Sequence, residues 1–304
     1  MDPAPAAPLT EPPEPVVPTE PVETRAPAAQ LAPFIYASPH SGNHYAPEFV
    51  AASRLDAVAL RRSEDSFVDE IFGAAPACGA PLLRALFPRV YLDPNREPYE
   101  LDPAMFEDQL PAHVNTRSHR VAGGIGTIAR VVTNGTEIYR AKLRFAEAER
   151  RIASYYRPYH QALARLIDET RRRFGCAVLV DCHSMPSVGG PLDPDSGSGR
   201  VDIVLGSRFG TACAPLLVEV ARTALTELGY RVSLNTPYAG GFNTRKYGRP
   251  ELGVHALQIE INRALYMDEQ RVERGPGITA LSEHMTALIE ALGGIDPAAL
   301  LPHR

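Results

Sequence analysis

The sequence predicts an α/β fold, a central sheet with helices on its faces, and three observations carry that prediction. From about residue 34 onward, short apolar runs alternate with segments of helical spacing. Two of the runs, FIYA and AVLV, lead directly into polar segments, SPHSG and DCHSMP, the way strands of an open α/β sheet present side chains at their ends. With 304 residues and 44% hydrophobic side chains, the chain has ample material for a core.

Residues 1–30 are dominated by Pro, Ala, Glu and Thr, which disfavours helix and sheet, so a disordered or polyproline-like tail is expected there. Residues 31–304 then form a single domain. FIYASP is its first strand. Residues 54–72 have helical spacing interrupted at 63–66, where Asp65 could cap a new helix that buries Phe67, Val68, Ile71 and Phe72. PLLRALFPRVYLD is extended and leads into PNRE. The glycine-rich VAGGIGTIARVV lacks the GxGxxG spacing of a phosphate loop and is expected to be a hairpin or lid. A long helix is predicted over residues 137–174, bent near Pro158.

AVLVDCHS is the next strand, and GGPLDPDSGSGR a surface loop. VDIVLGS is a strand, APLLVEVARTALTELG a helix ending at Gly229, and YRVSLN another strand. VHALQIEIN and a helix over 278–292 close the chain.

The formal charge of -5 and the lack of a long Lys/Arg run argue against nucleic acid as a partner, and no apolar run has the length of a membrane span. Cys78, Cys176, Cys182 and Cys213 are widely spaced and form no CxxC pattern, so reduced thiols are expected. MDPAPAAPLTEPPEPVVPTEP has neither the basic start nor the apolar core of a secretory signal, which makes the cytoplasm the expected compartment. Oligomeric state leaves no mark.

His40 in SPHSG and His183 in VLVDCHSMP each stand just past an apolar run, and Asp181 makes the second of these strand ends anionic. Either histidine alone reads as a structural hydrogen-bonding residue. Two histidines and an acid are the protein ligands of a catalytic metal that keeps one position open for water. Asp65 is the first candidate for that acid, with Glu64 and Asp69 as competitors, and its alternative is the helix cap. Glu260 alternates within an apolar strand, where a buried carboxylate needs a cation or hydrogen-bond donors. Arg263 could be a simple structural partner for it. Beside a metal, Glu260 is placed to act as general base.

Asn95 and Arg96 in DPNRE, and Arg245 with Tyr238 and Thr244 in NTPYAGGFNTRKYG, place guanidinium forks in polar loops suited to an anionic small molecule. Cys182 and His183 are adjacent, so strand geometry points them to opposite faces and disfavours a cysteine nucleophile. His160 in YYRPYH reads as a packing residue.

Taken together, SPHSG, DSFVDEIF, LDPNREP, YYRPYH, VLVDCHSMP, DIVLGSRFG, NTPYAGGFNT and VHALQIEINRALYM, in that order over about residues 34–270, resemble the N-formylglutamate amidohydrolases. The resemblance implies a mixed, mostly parallel sheet with helices on both faces, similar to zinc carboxypeptidases. It implies hydrolysis of N-formyl-L-glutamate to formate and L-glutamate, a step of histidine degradation, with Zn2+ or another divalent metal. His40 and His183 match the histidine ligands, Glu260 the base, and Asn95 with Arg96 the polar pair for substrate or oxyanion. The HxxE glutamate of related zinc hydrolases is absent, since Asn43 stands there, and Asp65 takes its place by inference. Arg96 and Arg245, with Arg263 as helper, would neutralise the substrate carboxylates. A different N-acyl acidic amino acid or peptide terminus as substrate, and a non-catalytic binding protein, are the alternatives.

Overall fold

The apolar runs FIYAS, AVLVDCHSM and VHALQIEIN form three adjacent strands of a seven-stranded sheet in the computed structural model, which describes residues 20–302 apart from 192 and 194. In chain order the elements are β1 (Val22–Arg25), β2 (Phe34–Ser38), α1 (Pro47–Ala52), α2 (Ala57–Arg61), α3 (Val68–Ile71), β3 (Leu82–Ala85), α4 (His119–Ala122), α5 (Phe145–Arg151), α6 (Arg157–Phe174) and β4 (Ala177–Met185). There follow β5 (Ile203–Gly206), α7 (Pro215–Glu227), β6 (Val232–Leu234), α8 (Phe242–Tyr247), β7 (Val254–Asn262) and α9 (Ile278–Gly293).

The strand order is β1-β3-β2-β4-β7-β5-β6. The pairs β3–β2, β2–β4, β4–β7 and β5–β6 are parallel, whereas β1–β3 and β5–β7 are antiparallel. The sheet is thus mixed and mostly parallel, as the family resemblance implies.

Strand alternation sorts the core. Val178, Val180 and Cys182 of β4 and Leu257, Ile259 and Ile261 of β7 face one side, packed with Leu217 and Leu225 of α7 and Leu281 and Leu288 of α9. Ala177 and Leu179, with Val254 and Ala256, face the other side, covered by Tyr159, Leu163 and Ile167 of α6. Both faces are covered, which is why these strands read as nearly continuous apolar runs. Each fully buried leucine or isoleucine contributes about 1.5–3 kcal/mol, so the sheet centre is a rigid platform. Among the described residues no helix is long and apolar enough to cross a membrane.

Four local expectations change. The tail expected over 1–30 ends earlier, because Val22–Arg25 pairs with the free edge of β3 and Glu23 meets Arg84. Edge pairing needs only backbone groups, which this proline-free stretch supplies; residues 1–19 lie outside the described residues. The helix expected over 137–174 begins at Phe145, because the preceding chain is engaged in isolated pairings of Glu137 with Val131, Tyr139 with Ser53 and Leu143 with Phe106. A wider π-type turn, Ile152–Tyr156, directly precedes Arg157 and Pro158, where the missing N–H interrupts the regular ladder. Within PLLRALFPRVYLD only Leu82–Ala85 is strand. The VAGGIG segment is the end of α4 and a tight turn, with Ile125 N–H donating to the Arg120 carbonyl at 2.9 Å.

Candidate active site

Because β2, β4 and β7 are parallel neighbours, their C-terminal ends meet at one edge of the sheet. Along β4, the face that carries Ala177 and Leu179 continues with Asp181 and His183. Along β7, the face that carries Val254 and Ala256 continues with Gln258 and Glu260. The register sets His183 opposite Glu260 and Asp181 opposite Gln258. One face of the sheet therefore changes from apolar to polar along its length, and His40 joins it just past the end of β2. Cys182 points the other way into the core, where burial pushes its thiol well above the usual range.

Asp65 reaches this edge because its backbone N–H donates to the His40 carbonyl at 3.0 Å. Its Oδ2 lies 2.9 Å from His183 Nδ1 and 3.2 Å from His40 Nδ1, and its Oδ1 accepts from Arg263 Nη2 at 3.0 Å. The side chain caps no helix. The residue preceding α3 is Phe67, held in a left-handed conformation at φ 67, and no side chain caps that helix end. Of the competing acids, Glu64 accepts from Tyr45, Arg61 and Ser66, and Asp69 pairs with Arg84.

Behind each imidazole stands another buried carboxylate. Asp93 Oδ1 lies 2.7 Å from His40 Nε2, and Asp181 Oδ2 lies 3.1 Å from His183 Nε2. Asp93 accepts from His40 Nε2, Asp181 stands at ion-pair distance from His183 Nε2, and each Nδ1 faces Asp65 Oδ2, which accepts from both rings. Asp93 is held in turn by Arg89 at 2.8 Å and by the Asn95 N–H at 2.8 Å. Asn95 Nδ2 sits 3.1 Å from His183 Nε2, and Gln258 Nε2 donates to Glu260 Oε1 at 2.7 Å.

These contacts decide the charges. Burial alone would raise the Asp65 carboxyl, but hydrogen bonds from His183 and His40 hold it well below the usual carboxylate range. Asp93 is likewise held low against burial by the charges of His40, Arg96 and Arg89. Burial works to lower His183, yet Asp181 and Asp65 hold its imidazole well above the usual range. Burial pushes Glu260 up to about 7 even with His183 nearby. The site thus sets low-lying carboxylates, Asp65 and Asp93, against imidazoles and arginines in one cavity.

His40, Asp65 and His183 offer one ligand atom each, all within 4.8 Å of one another and all buried, so the group could hold a metal ion. Two imidazole nitrogens and a carboxylate oxygen, with the far side of each ring anchored by an acid, suit that task.

The three residues line a cavity of about 400 Å³, together with Glu260, Asn95, Arg96, Tyr238 and Arg263. Thr244 and Arg245 do not line it. Thr244 is buried in α8 with its hydroxyl donating to the Gly241 carbonyl, and Arg245 is half-exposed and paired with Glu97. Arg263 reaches the cavity with its donors already engaged by Ser184, the Arg62 carbonyl and Asp65. It braces Asp65 rather than pairing closely with Glu260. His160 is a packing residue, bound to the Tyr247 hydroxyl and the Pro94 carbonyl.

Asp93, Arg89 and Gln258 escaped the sequence reading. The turn signal DPN, an Asx-type start at Asp93, could have found the first. Gln258 shares the alternation that exposed Glu260, two residues before it on the same face.

The N-formylglutamate deformylase of Pseudomonas aeruginosa is 30% identical to this chain over 242 residues, covering 78% of the chain and 83% of that protein. The N-formylglutamate deformylase of Pseudomonas putida is 27% identical over 78% of the chain and 82% of its own length. The crystal structure of N-formylglutamate amidohydrolase from Ralstonia eutropha superposes with a TM-score of 0.83 at 36% identity, covering 92% of this chain and 99% of that one. The family model for N-formylglutamate amidohydrolase matches residues 32–267, a span that holds every side chain of the site described above. By that match, and by relatives that cover most of its length, the chain belongs to the N-formylglutamate amidohydrolase family.

Proposed function

We propose that this protein hydrolyses N-formyl-L-glutamate to formate and L-glutamate, at a metal held by His40, Asp65 and His183 and with Glu260 as general base. The observation that carries the reading is the convergence of both Nδ1 atoms on Asp65 Oδ2, in one cavity with a carboxylate whose proton affinity is raised to about 7.

The donor set of two imidazoles and a carboxylate favours zinc among the divalent ions. When bound, such an ion supplies Lewis acidity, polarising a carbonyl oxygen and lowering the pKa of water toward about 7. The rest is the work of the chain. Asp93 and Asp181 fix the ring orientations that turn both Nδ1 atoms inward. Gln258 engages one oxygen of Glu260, leaving the other to accept a proton from the attacking water. The water oxygen bonds to the formyl carbon as the carbonyl π bond opens onto its oxygen. Glu260 then passes its proton to the nitrogen as the C–N bond breaks and the carbonyl re-forms, so that formate and the amino acid depart.

Arg96 is suited to the α-carboxylate or to the developing oxyanion. It donates to the Ile125 and Asn95 carbonyls through Nε and Nη1 and keeps Nη2, 3.7 Å from Asp93, for a ligand. Asn95 and the Tyr238 ring complete the wall. Cys78, Cys176, Cys182 and Cys213 are free thiols, which supports a reducing compartment such as the cytoplasm.

The test is formate release from N-formylglutamate by purified protein. Chelation abolishes it, and His183→Ala loses metal. Glu260→Gln keeps the metal but loses about 10²–10⁴ in kcat. Full activity in a metal-free preparation, or in Glu260→Gln, overturns the mechanism.

A further inference from the structure

We propose that Arg120 determines specificity in this site by taking the distal, γ-carboxylate of the substrate; the inference rests on the hydrolytic reading above. Arg120 lies on α4, in the SHRVAGGIG stretch, and its side chain lines the same cavity as His40, Asp65, His183 and Glu260.

Four arginines line that cavity, and three are engaged by protein acceptors. Arg89 donates to Asp93 at 2.8 Å, Arg96 to two carbonyls at 3.0 and 3.1 Å, and Arg263 to Asp65 at 3.0 Å among others. Arg120 differs. Its nearest carboxylate oxygen is Glu100 Oε2 at 3.9 Å, beyond hydrogen-bond length, and among the described residues its guanidinium donates no hydrogen bond. Its side chain is 34% exposed, against 13% for Arg96, so the fork is accessible from the mouth of the cavity.

Three guanidinium groups, Arg89, Arg96 and Arg120, crowd this wall. Burial and the neighbouring charges of Arg120 and Arg89 push Arg96 down to about 10, despite the attraction of Asp93. Burial lowers Arg208 too, with the charges of Arg245 and Arg120 adding to the effect. Of the acids nearby, Glu97 pairs closely with Arg245, and Glu100 offers Arg120 only a contact at 3.9 Å. A second carboxylate arriving with the substrate would relieve this repulsion.

Position assigns the two carboxylates. Arg96 follows Asn95, which touches His183, and its Nη2 faces Asp93, which holds His40. It is thus suited to the α-carboxylate, which branches beside the scissile amide. The γ-carboxylate is held off by two methylenes, and Arg120 is the accessible fork left to meet it. The backbone under Arg120 is fixed. Ser118 Oγ accepts from Val121 N–H at 3.1 Å, and the Ile125 carbonyl accepts from Arg96 Nε, which ties the two arginine-bearing segments together.

The experiment compares kcat/KM for N-formylglutamate and N-formylglutamine in wild type, Arg120→Met and Arg120→Lys, with metal content and Tm measured alongside. In Arg120→Met the preference for the glutamate over the glutamine derivative collapses by about 100-fold, chiefly through KM, since a charge-assisted bidentate pair is lost. Arg120→Lys retains part of the preference. An equal fall on both substrates would mark a structural role, and an unchanged preference would mark an idle surface residue; either overturns the proposal. If the wild type hydrolyses neither compound, the hydrolytic reading itself fails and takes this inference with it.

Discussion

Replacing Arg263 with methionine separates a brace from a substrate-binding residue. The guanidinium is 7% exposed and donates to Ser184 Oγ at 3.1 Å, the Arg62 carbonyl at 3.0 Å and Asp65 Oδ1 at 3.0 Å. Methionine fills most of the volume but takes the Arg263 hydrogen bond from buried Asp65 Oδ1, leaving Arg89 at 3.6 Å as the arginine beside it, and breaking a buried pair of this kind costs about 3–5 kcal/mol. At about 2 cal/mol/K per residue, a chain of roughly 280 ordered residues has an unfolding entropy near ~0.6 kcal/mol/K, so Tm falls by about 7 °C. The fall is largest after chelation, when no metal shares the Asp65 charge. Scanning calorimetry with and without chelator measures it, and kinetics on the metal-loaded enzyme show KM little changed. An unaltered Tm with a KM raised tenfold or more would refute the reasoning and return Arg263 to the carboxylate-binding role expected from the sequence.

Other perturbations report on other contacts. Burial and the charge of Lys246 push His160 down to about 3, against the Pro94 hydrogen bond, from an ordinary value of 6.5. The unfolded chain takes up that proton below pH 6.5 while the folded chain resists it to about pH 3, so stability present above 6.5 is lost as pH falls through this window. Between pH 7 and 4.5, urea unfolding of the wild type loses about 2–3 kcal/mol more than that of His160→Gln, at ~1.4 kcal/mol per pH unit; parallel losses would show that His160 is not the source. Asp181→Asn weakens metal binding by about 10–100-fold in a competitive chelator titration, because His183 loses its anionic anchor. Unchanged affinity would leave Asp181 without that role. Arg245→Ala, which breaks the half-exposed pair with Glu97 and a contact over the Phe242 ring, alters stability by less than about 1 kcal/mol and leaves KM near the wild-type value. A large rise in KM would restore Arg245 to the substrate.

Much of the sheet and of its polar edge was legible because burial on both faces leaves a plain signature. In VLVDCHS and ALQIEIN the polar residues stand at every second position of otherwise apolar runs, and that alternation isolates Asp181, His183, Gln258 and Glu260 from Cys182 and Ile259. Asp65 was harder, since a helix cap and a ligand have the same local sequence. The backbone bond to the His40 carbonyl, a contact across 25 residues, distinguishes them. Arg245 and Thr244 misled because loop composition says a side chain is polar without saying where it points. Arg120 was invisible for a related reason. The VAGGIG turn has no periodicity, and its place beside Arg96 depends on a hydrogen bond to Ile125, far along the chain. The edge strand Val22–Arg25 was hidden by the prolines preceding it.

The change of one sheet face from apolar to polar also separates two kinds of inheritance. His183 and Glu260 are placed by strand register, and a shift by one residue would turn both toward the opposite core, so the proposed hydrolytic centre tolerates little drift. Arg96 and Arg120 hang from a loop and a single-turn helix whose sequence is constrained mainly at a few backbone contacts. Descendants of such a chain can explore new acyl amino acids by altering the rim while the sheet conserves the chemistry beneath it.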